Sequence, residues 1–223
     1  MADSDNQDPE LFGQTPWQTI GPFFHVGLPW KGGADLVGNN PDGARADLSL
    51  EGHDRLPAPQ PRGPIAGEII IVTGRILDGE AKPVSDALVE IWQANGAGRY
   101  HSPDDNRDDI ALDEDFIGFG RCATDRDGHY RFRTIKPGRV PGPGNQLQAS
   151  HIAMSIMGRG MLRRLVTRFY FADDENLSLD PILDLVPPER RDTLVARFMG
   201  ENPAVYWLDV MLGGPTETVF FDV

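Results

Sequence analysis

From residue 68 onward the apolar positions recur with the period of a strand. Residues 87–94 (ALVEIWQA) put Leu88, Glu90 and Trp92 on one face and Val89, Ile91 and Gln93 on the other. Residues 130–135 (YRFRTI) alternate in the same way and follow Asp127-Gly128, a tight-turn pair. Residues 68–77 (EIIIVTGRIL) are a β-branched run. With 151–157, 165–171, 204–212 and 216–223 this makes about seven strand candidates separated by turn residues. Such a series predicts a mainly β fold, a β-sandwich, rather than a parallel α/β sheet. Few short helices are expected. One is predicted over 188–199, where Pro188 suits a first turn, Glu189 favours the positive end of the dipole, and Leu194, Val195 and Phe198 form an apolar face.

The first 66 residues break this pattern. They are rich in Gly and Pro and lack periodicity, yet Trp17, Phe23, Phe24 and Trp30 are large apolar groups that a disordered tail seldom carries. The division predicted is an extended N-terminal arm, 1–66, followed by a sandwich domain, 67–223. The arm's rings are expected to pack on their own domain or across a subunit interface, where Trp and Phe are enriched.

Charge narrows the partners. Thirty-four acidic residues against 21 basic ones give a net charge of -13, which repels nucleic acid and anionic membranes. An anionic ligand would need a local cation. Cys122 is the only cysteine, so no internal disulfide forms, in keeping with a reducing, cytoplasmic setting. The start, MADSDNQDPE, lacks the apolar stretch of a secretory signal. No apolar run has the length of a membrane span.

Most motif-like stretches carry no chemistry. GFGRCA, beginning at Gly118, lacks the strand-to-helix setting of a nucleotide loop, and neither a P-loop lysine motif nor a G-x-S-x-G elbow occurs. Asp113, Glu114 and Asp115 lack the ordered alternation of a calcium loop and read as a solvated acidic loop. Cys122 reads as a small apolar side chain. His25, His53, His101, His129 and His151 show no paired ligand spacing. His129, beside a turn, is expected to be exposed, and His151 opens a strand. Arg159, in IMGRGM at that strand's end, is either an ordinary surface arginine or a carboxylate anchor.

GRILDGEAKPVSDALVEIWQANGAGRYH (74–101) and GFGRCATDRDGHYRFRTIKPG (118–138) resemble the core of the intradiol ring-cleavage dioxygenases. The resemblance implies a β-sandwich enzyme in which Fe(III) is held by two tyrosinates and two histidines. Here HSPDDNRDD after Gly98-Arg99-Tyr100 has no Tyr, Val140 stands after the Lys136-Pro137-Gly138 turn where Tyr belongs, and His151-Ile152-Ala153 keeps one His of H-x-H. The resemblance therefore implies no metal ligand set and no catalytic residue in this chain. Fe(III) would be held by a homologous beta subunit, in an alpha-beta hetero-oligomer that opens protocatechuate with O2. By position, the residues of this chain that would touch substrate are Thr19, Gly21 and Pro22 in the arm, with Arg159 facing the substrate carboxylate. The competing expectation, on residues alone, is a non-enzymatic sandwich that binds small aromatics or a protein partner.

Overall fold

The computed structural model describes residues 19–21, 23–24, 28, 33–38 and 64–222. Nine strands follow in chain order: β1 Ile69–Leu77, β2 Leu88–Trp92, β3 Phe119–Ala123, β4 His129–Ile135, β5 His151–Met157, β6 Leu165–Phe171, β7 Val195–Gly200, β8 Ala204–Trp207 and β9 Val210–Met211. Their order is β3-β2-β5-β6-β7-β8-β1-β4, with β9 beside β1. Two four-stranded halves are joined by the short parallel pairing of Tyr170 and Phe171 in β6 with Val195 and Ala196 in β7.

Alternation decides which face is buried. In β5 Ile152, Met154 and Ile156 point inward with no exposed surface. They meet Val89 and Ile91 of β2, Phe169 and Phe171 of β6, and Ile70, Val72, Phe132 and Tyr206 of the other half in one apolar cluster. Burial shared by both halves is what a sandwich requires. The β-sandwich expectation is therefore met. Trp92, His151, Ala153, Arg168 and Tyr170 occupy the opposite face of β2-β5-β6, under the loops.

The boundaries of β5 and β6 match the predicted strands 151–157 and 165–171 residue for residue. Four segments differ from expectation. Residues 204–212, expected as one strand, are two, β8 and β9, interrupted at Leu208 and Asp209 and paired with successive parts of β1. Residues 188–199 are a 3-10 turn over Pro188–Leu194 that runs directly into β7, not one helix. Leu194 is buried, but Phe198 is 43 % exposed, so the helical apolar face never forms. Pairing of Val195 and Ala196 with β6 satisfies the backbone there and overrides the local period. Residues 216–222 form no strand; they meet the sheet at a bridge, Val166 to Phe221, through hydrogen bonds between Thr218 and Met211, and through the Thr167 hydroxyl, which donates to the Val219 carbonyl. GFGRCA supplies β3, whose pattern is obscured by glycines with packing roles. A Cβ on Gly118 (φ +75°) would lie 2.2 Å from the Gln93 carbonyl oxygen, and one on Gly120 would lie 2.6 Å from Leu36.

Leu36 belongs to the sequence-defined arm, yet residues 33–38 join the body. The Arg121 amide donates to the Gly33 carbonyl (2.8 Å), the Leu36 amide donates to the Arg133 carbonyl (2.8 Å), and the Arg133 amide donates to the Ala34 carbonyl (2.8 Å). Ala34, Asp35 and Val37 are buried. No helix among the described residues is long and apolar enough to cross a membrane.

Candidate functional site

The face of β2-β5-β6 turned away from the core carries His151 and Ala153, the two positions at which the resemblance implies histidine ligands. Cross-strand register puts Trp92 beside Ala153 and Ala153 beside Arg168 in one row, with His151 beside Tyr170 in the next. Directly paired residues share a face. His151 is buried, its Nδ1 is 2.8 Å from the Ala149 carbonyl, and its ring lies 5.6 Å from that of Tyr170. Burial, with the Arg168 charge adding to it, pushes the imidazole down to about 4. His151 is therefore neutral at pH 7.

Two loops close over this face. In the first, the Asn95 side-chain carbonyl accepts from the amides of Ala97 (3.0 Å) and Arg99 (2.9 Å), while its amide donates to Ala111 (2.9 Å). Gly98 (φ +88°) lets this loop touch the second, since a Cβ there would lie 2.1 Å from the Arg139 carbonyl oxygen. Tyr100 emerges from the first loop and stacks on Trp92, with centroids 5.9 Å apart and planes 7° apart. Burial raises the Tyr100 hydroxyl, opposed by the positive fields of Arg168 and Arg107. In the second loop Val140 is buried and its carbonyl accepts from the Gln148 amide (2.9 Å).

The acidic stretch 104–115 is an internally braced loop. Arg107 grips Asp105 through Nε (2.8 Å) and Nη2 (2.5 Å), and Asp105 also accepts from the Tyr100 amide (2.8 Å). The Arg107 hydrogen bond holds the Asp105 carboxyl down at about 2. Arg99 reaches Asp108 (2.8 Å), and Asp113 accepts from the Ala66 amide (3.0 Å). Among the described residues one cluster has metal-donor types in reach of one another, Asp125, Asp127 and His129. It lies on the β3–β4 turn, where Asp125 Oδ1 accepts from the Asp127 (2.9 Å) and His129 (2.7 Å) amides. The His129 side chain is 37 % exposed, its Nδ1 3.3 Å from Asp125.

These residues do not fit Fe(III). Val140 and Ala153 have no donor atoms, the only donor kept at the expected positions is His151, and the Arg168 guanidinium stands directly across from Ala153. A ferric ion there would lack anionic ligands and face a like charge.

The sequence-proposed contact residues lie elsewhere, past the end of β5. Gly160 donates to the Ile20 carbonyl (3.1 Å), and Ile20 donates back to the Met161 carbonyl (3.3 Å). This two-way pairing brings Thr19, Ile20 and Gly21 alongside Arg159. Thr19 is exposed, and a Cβ on Gly21 would meet nothing within 4 Å, so packing within this chain does not demand glycine there. Arg159 is 63 % exposed and its Nε lies 3.2 Å from Asp86. Pro22 lies outside the described residues, as do Trp17 and Trp30. Phe23 is 80 % exposed, so its ring does not pack on the sandwich. Next to the pairing is an apolar cavity of about 500 Å³ lined by Met161, Leu162, Arg163, Leu165 and Leu212. Sequence reasoning did not single out Arg168, Tyr100 or Gln148. The one available signal was an arginine directly opposite Ala153, visible only once β5 and β6 are paired.

A family model described as dioxygenase matches residues 48–212. The protocatechuate 3,4-dioxygenase alpha chain of Burkholderia cepacia is 41 % identical over 217 residues, covering 94 % of this chain and 98 % of the relative. The beta chain of the same organism's enzyme is 44 % identical over 180 residues, covering 77 % and 76 %. Among solved structures, hydroxyquinol 1,2-dioxygenase from Pseudomonas putida superposes with a TM-score of 0.55 at 20 % identity, covering 88 % of this chain and 65 % of that one, a likeness of fold. Fold and sequence agree, and the chain belongs to the intradiol dioxygenase family.

Proposed function

We propose that this chain is the alpha-type subunit of a two-chain protocatechuate 3,4-dioxygenase, active only in complex with a homologous beta subunit that holds Fe(III). The observation that carries the reading is the donor set. The relatives that share this sequence form a two-chain enzyme by name, alpha and beta, and this chain lacks the side chains to hold the metal itself. Iron bound by the partner would supply the oxidative ring opening of protocatechuate by O2.

The chain's own contribution is shape and charge. Its arm is fastened beside Arg159 by the Ile20 pairing, so a partner site meeting that edge would meet Thr19, Gly21 and Arg159 together. The guanidinium provides positive potential for the substrate carboxylate. Asp86 orients Arg159 and tempers its charge, and the exposed Phe23 offers apolar surface to the partner.

The test is iron content and protocatechuate cleavage, first of the chain alone and then of the chain purified with its beta partner. An iron-free, inactive chain that becomes part of a coloured, active complex is the expected result. Iron and turnover in the chain alone would overturn the reading. An iron-free chain that forms no active complex would favour the non-enzymatic binding sandwich.

A further inference from the structure

Arg168 uses only part of its guanidinium. Its Nη1 donates to the Gln148 side-chain oxygen (2.5 Å) and to the Tyr170 hydroxyl (3.1 Å). Among the described residues its Nε and Nη2 have no hydrogen-bond partner, and neither is among the buried side-chain atoms left unpaired. Both donors therefore remain open to solvent. Among the described residues no carboxylate pairs with Arg168. Asp180, the acid linked to it through Tyr170 (3.1 Å), is already occupied by the amides of Ala149, Ile182 and Leu183.

The fork is also held in place. Gln148 is anchored by its own donation to the Pro141 carbonyl (2.9 Å), and the guanidinium lies 5.7 Å over the Phe221 ring. A partly buried arginine fixed through one nitrogen, with two parallel donors open, is preorganised for a planar bidentate anion.

The surroundings set the rest of the shape. In the row Trp92–Ala153–Arg168 the middle residue is small, which leaves a notch above Ala153. The backbones of Trp92 and Arg168 stand two strand spacings apart, about 9–10 Å, and their side chains reach toward each other far enough for the Arg168 charge to act on the Tyr100 hydroxyl. One wall is the fork. The other is the flat Trp92–Tyr100 stack. A second guanidinium, Arg107, acts on the same Tyr100 hydroxyl and has its Nη1 buried without a partner. A cationic fork facing an aromatic wall across a gap suits a flat anion.

We propose that Arg168, Ala153 and the Trp92–Tyr100 stack form a metal-free receptor for a small aromatic carboxylate, built where this family's iron donors would stand. The receptor lies wholly within this chain and goes beyond the subunit reading, so it stands or falls without the partner.

Benzoate is the probe, titrated calorimetrically into the full-length chain, with benzyl alcohol as its neutral counterpart. Expected are one benzoate per chain, no comparable binding of benzyl alcohol, and saturation transfer from benzoate to the Trp92 and Tyr100 ring protons. Arg168→Gln should weaken benzoate by about tenfold or more, the loss of a charge-assisted contact. Ala153→Leu, which fills the notch but keeps every Arg168 contact, should weaken it as well. Thermal melts establish that each variant is folded. Should either fail to fold, the transfer to Trp92 and Tyr100 in the unsubstituted chain still decides the question. Equal affinity for benzyl alcohol, benzoate binding unchanged in folded Arg168→Gln, loss confined to Arg159→Ala, or no transfer to either ring would each overturn the proposal.

Discussion

His151 is the one survivor of the family's expected donors, and its environment shows what replaced the others. The imidazole is buried, faces Arg168, and is held near 4 instead of 6.5. In the unfolded chain the same histidine binds a proton at higher pH. Its contribution to stability is therefore full above about pH 6.5 and is lost as pH falls toward 4. Between pH 7 and 4.5 this costs on the order of 2–3 kcal/mol. Denaturant unfolding at both pH values should show that much less acid sensitivity in His151→Phe than in the native chain. Its imidazole C2 proton should show no titration between pH 8 and 5. Arg159 poses the opposite case, a mostly exposed cation beside Asp86. Arg159→Ala should raise the KM of the alpha-beta complex for protocatechuate by about 1–3 kcal/mol of binding, with little effect on folding. Steady-state kinetics check this, and unchanged constants would remove Arg159 from the substrate's surroundings. Its position beside the arm was legible only through family resemblance, because IMGRGM gives no local sign of what Ile20 does.

Among the elements, β5 and β6 were readable to the residue because each carries a run of fully buried inward positions, Ile152, Met154 and Ile156 in β5 and Thr167, Phe169 and Phe171 in β6. β3 was not, since Gly118 and Gly120 serve close packing and erase the alternation that defines a strand. The segment 188–199 misled for a related reason. Its apolar spacing fits a helix, but sheet pairing at Val195 and Ala196 satisfies the same backbone groups. The loops over the β2-β5-β6 face depend on Gly98. Gly98→Ala must move the Arg139 carbonyl away, so it should destabilise the chain by about 1–3 kcal/mol and change Trp92 fluorescence by disturbing the Tyr100 stack. Gly144→Ala also places a side chain at positive φ (+65°), but into open space, and should cost less. Equal losses in the two variants would mean that backbone strain, not the touching of the two loops, fixes the site.

At the level of the whole molecule the arm is divided. Residues 33–38 are knitted to Arg121 and Arg133, whereas Thr19–Gly21 meet the body through the backbone pairing with Gly160 and Met161, and Phe23 faces solvent. Deleting residues 1–22 should therefore leave the melting temperature of the isolated chain nearly unchanged while weakening assembly with the beta subunit or the activity of the complex. Size-exclusion chromatography and protocatechuate turnover measure this. A truncated chain that assembles into a fully active complex would deny the arm its role.

The sequence by itself determined the sandwich, because two-residue alternation is a local property that survives without knowledge of partners. It also determined the absence of a full iron donor set, because a valine or an alanine has no donor atom wherever it is placed. What only the tertiary structure decided was adjacency. Arg168 is 15 positions from Ala153 in the sequence and beside it in the sheet. Ile20 finds Gly160 across an even longer stretch of chain. Pairing register is set by the packing of the buried face against the other half of the sandwich, and the polar face inherits whatever neighbours that packing imposes.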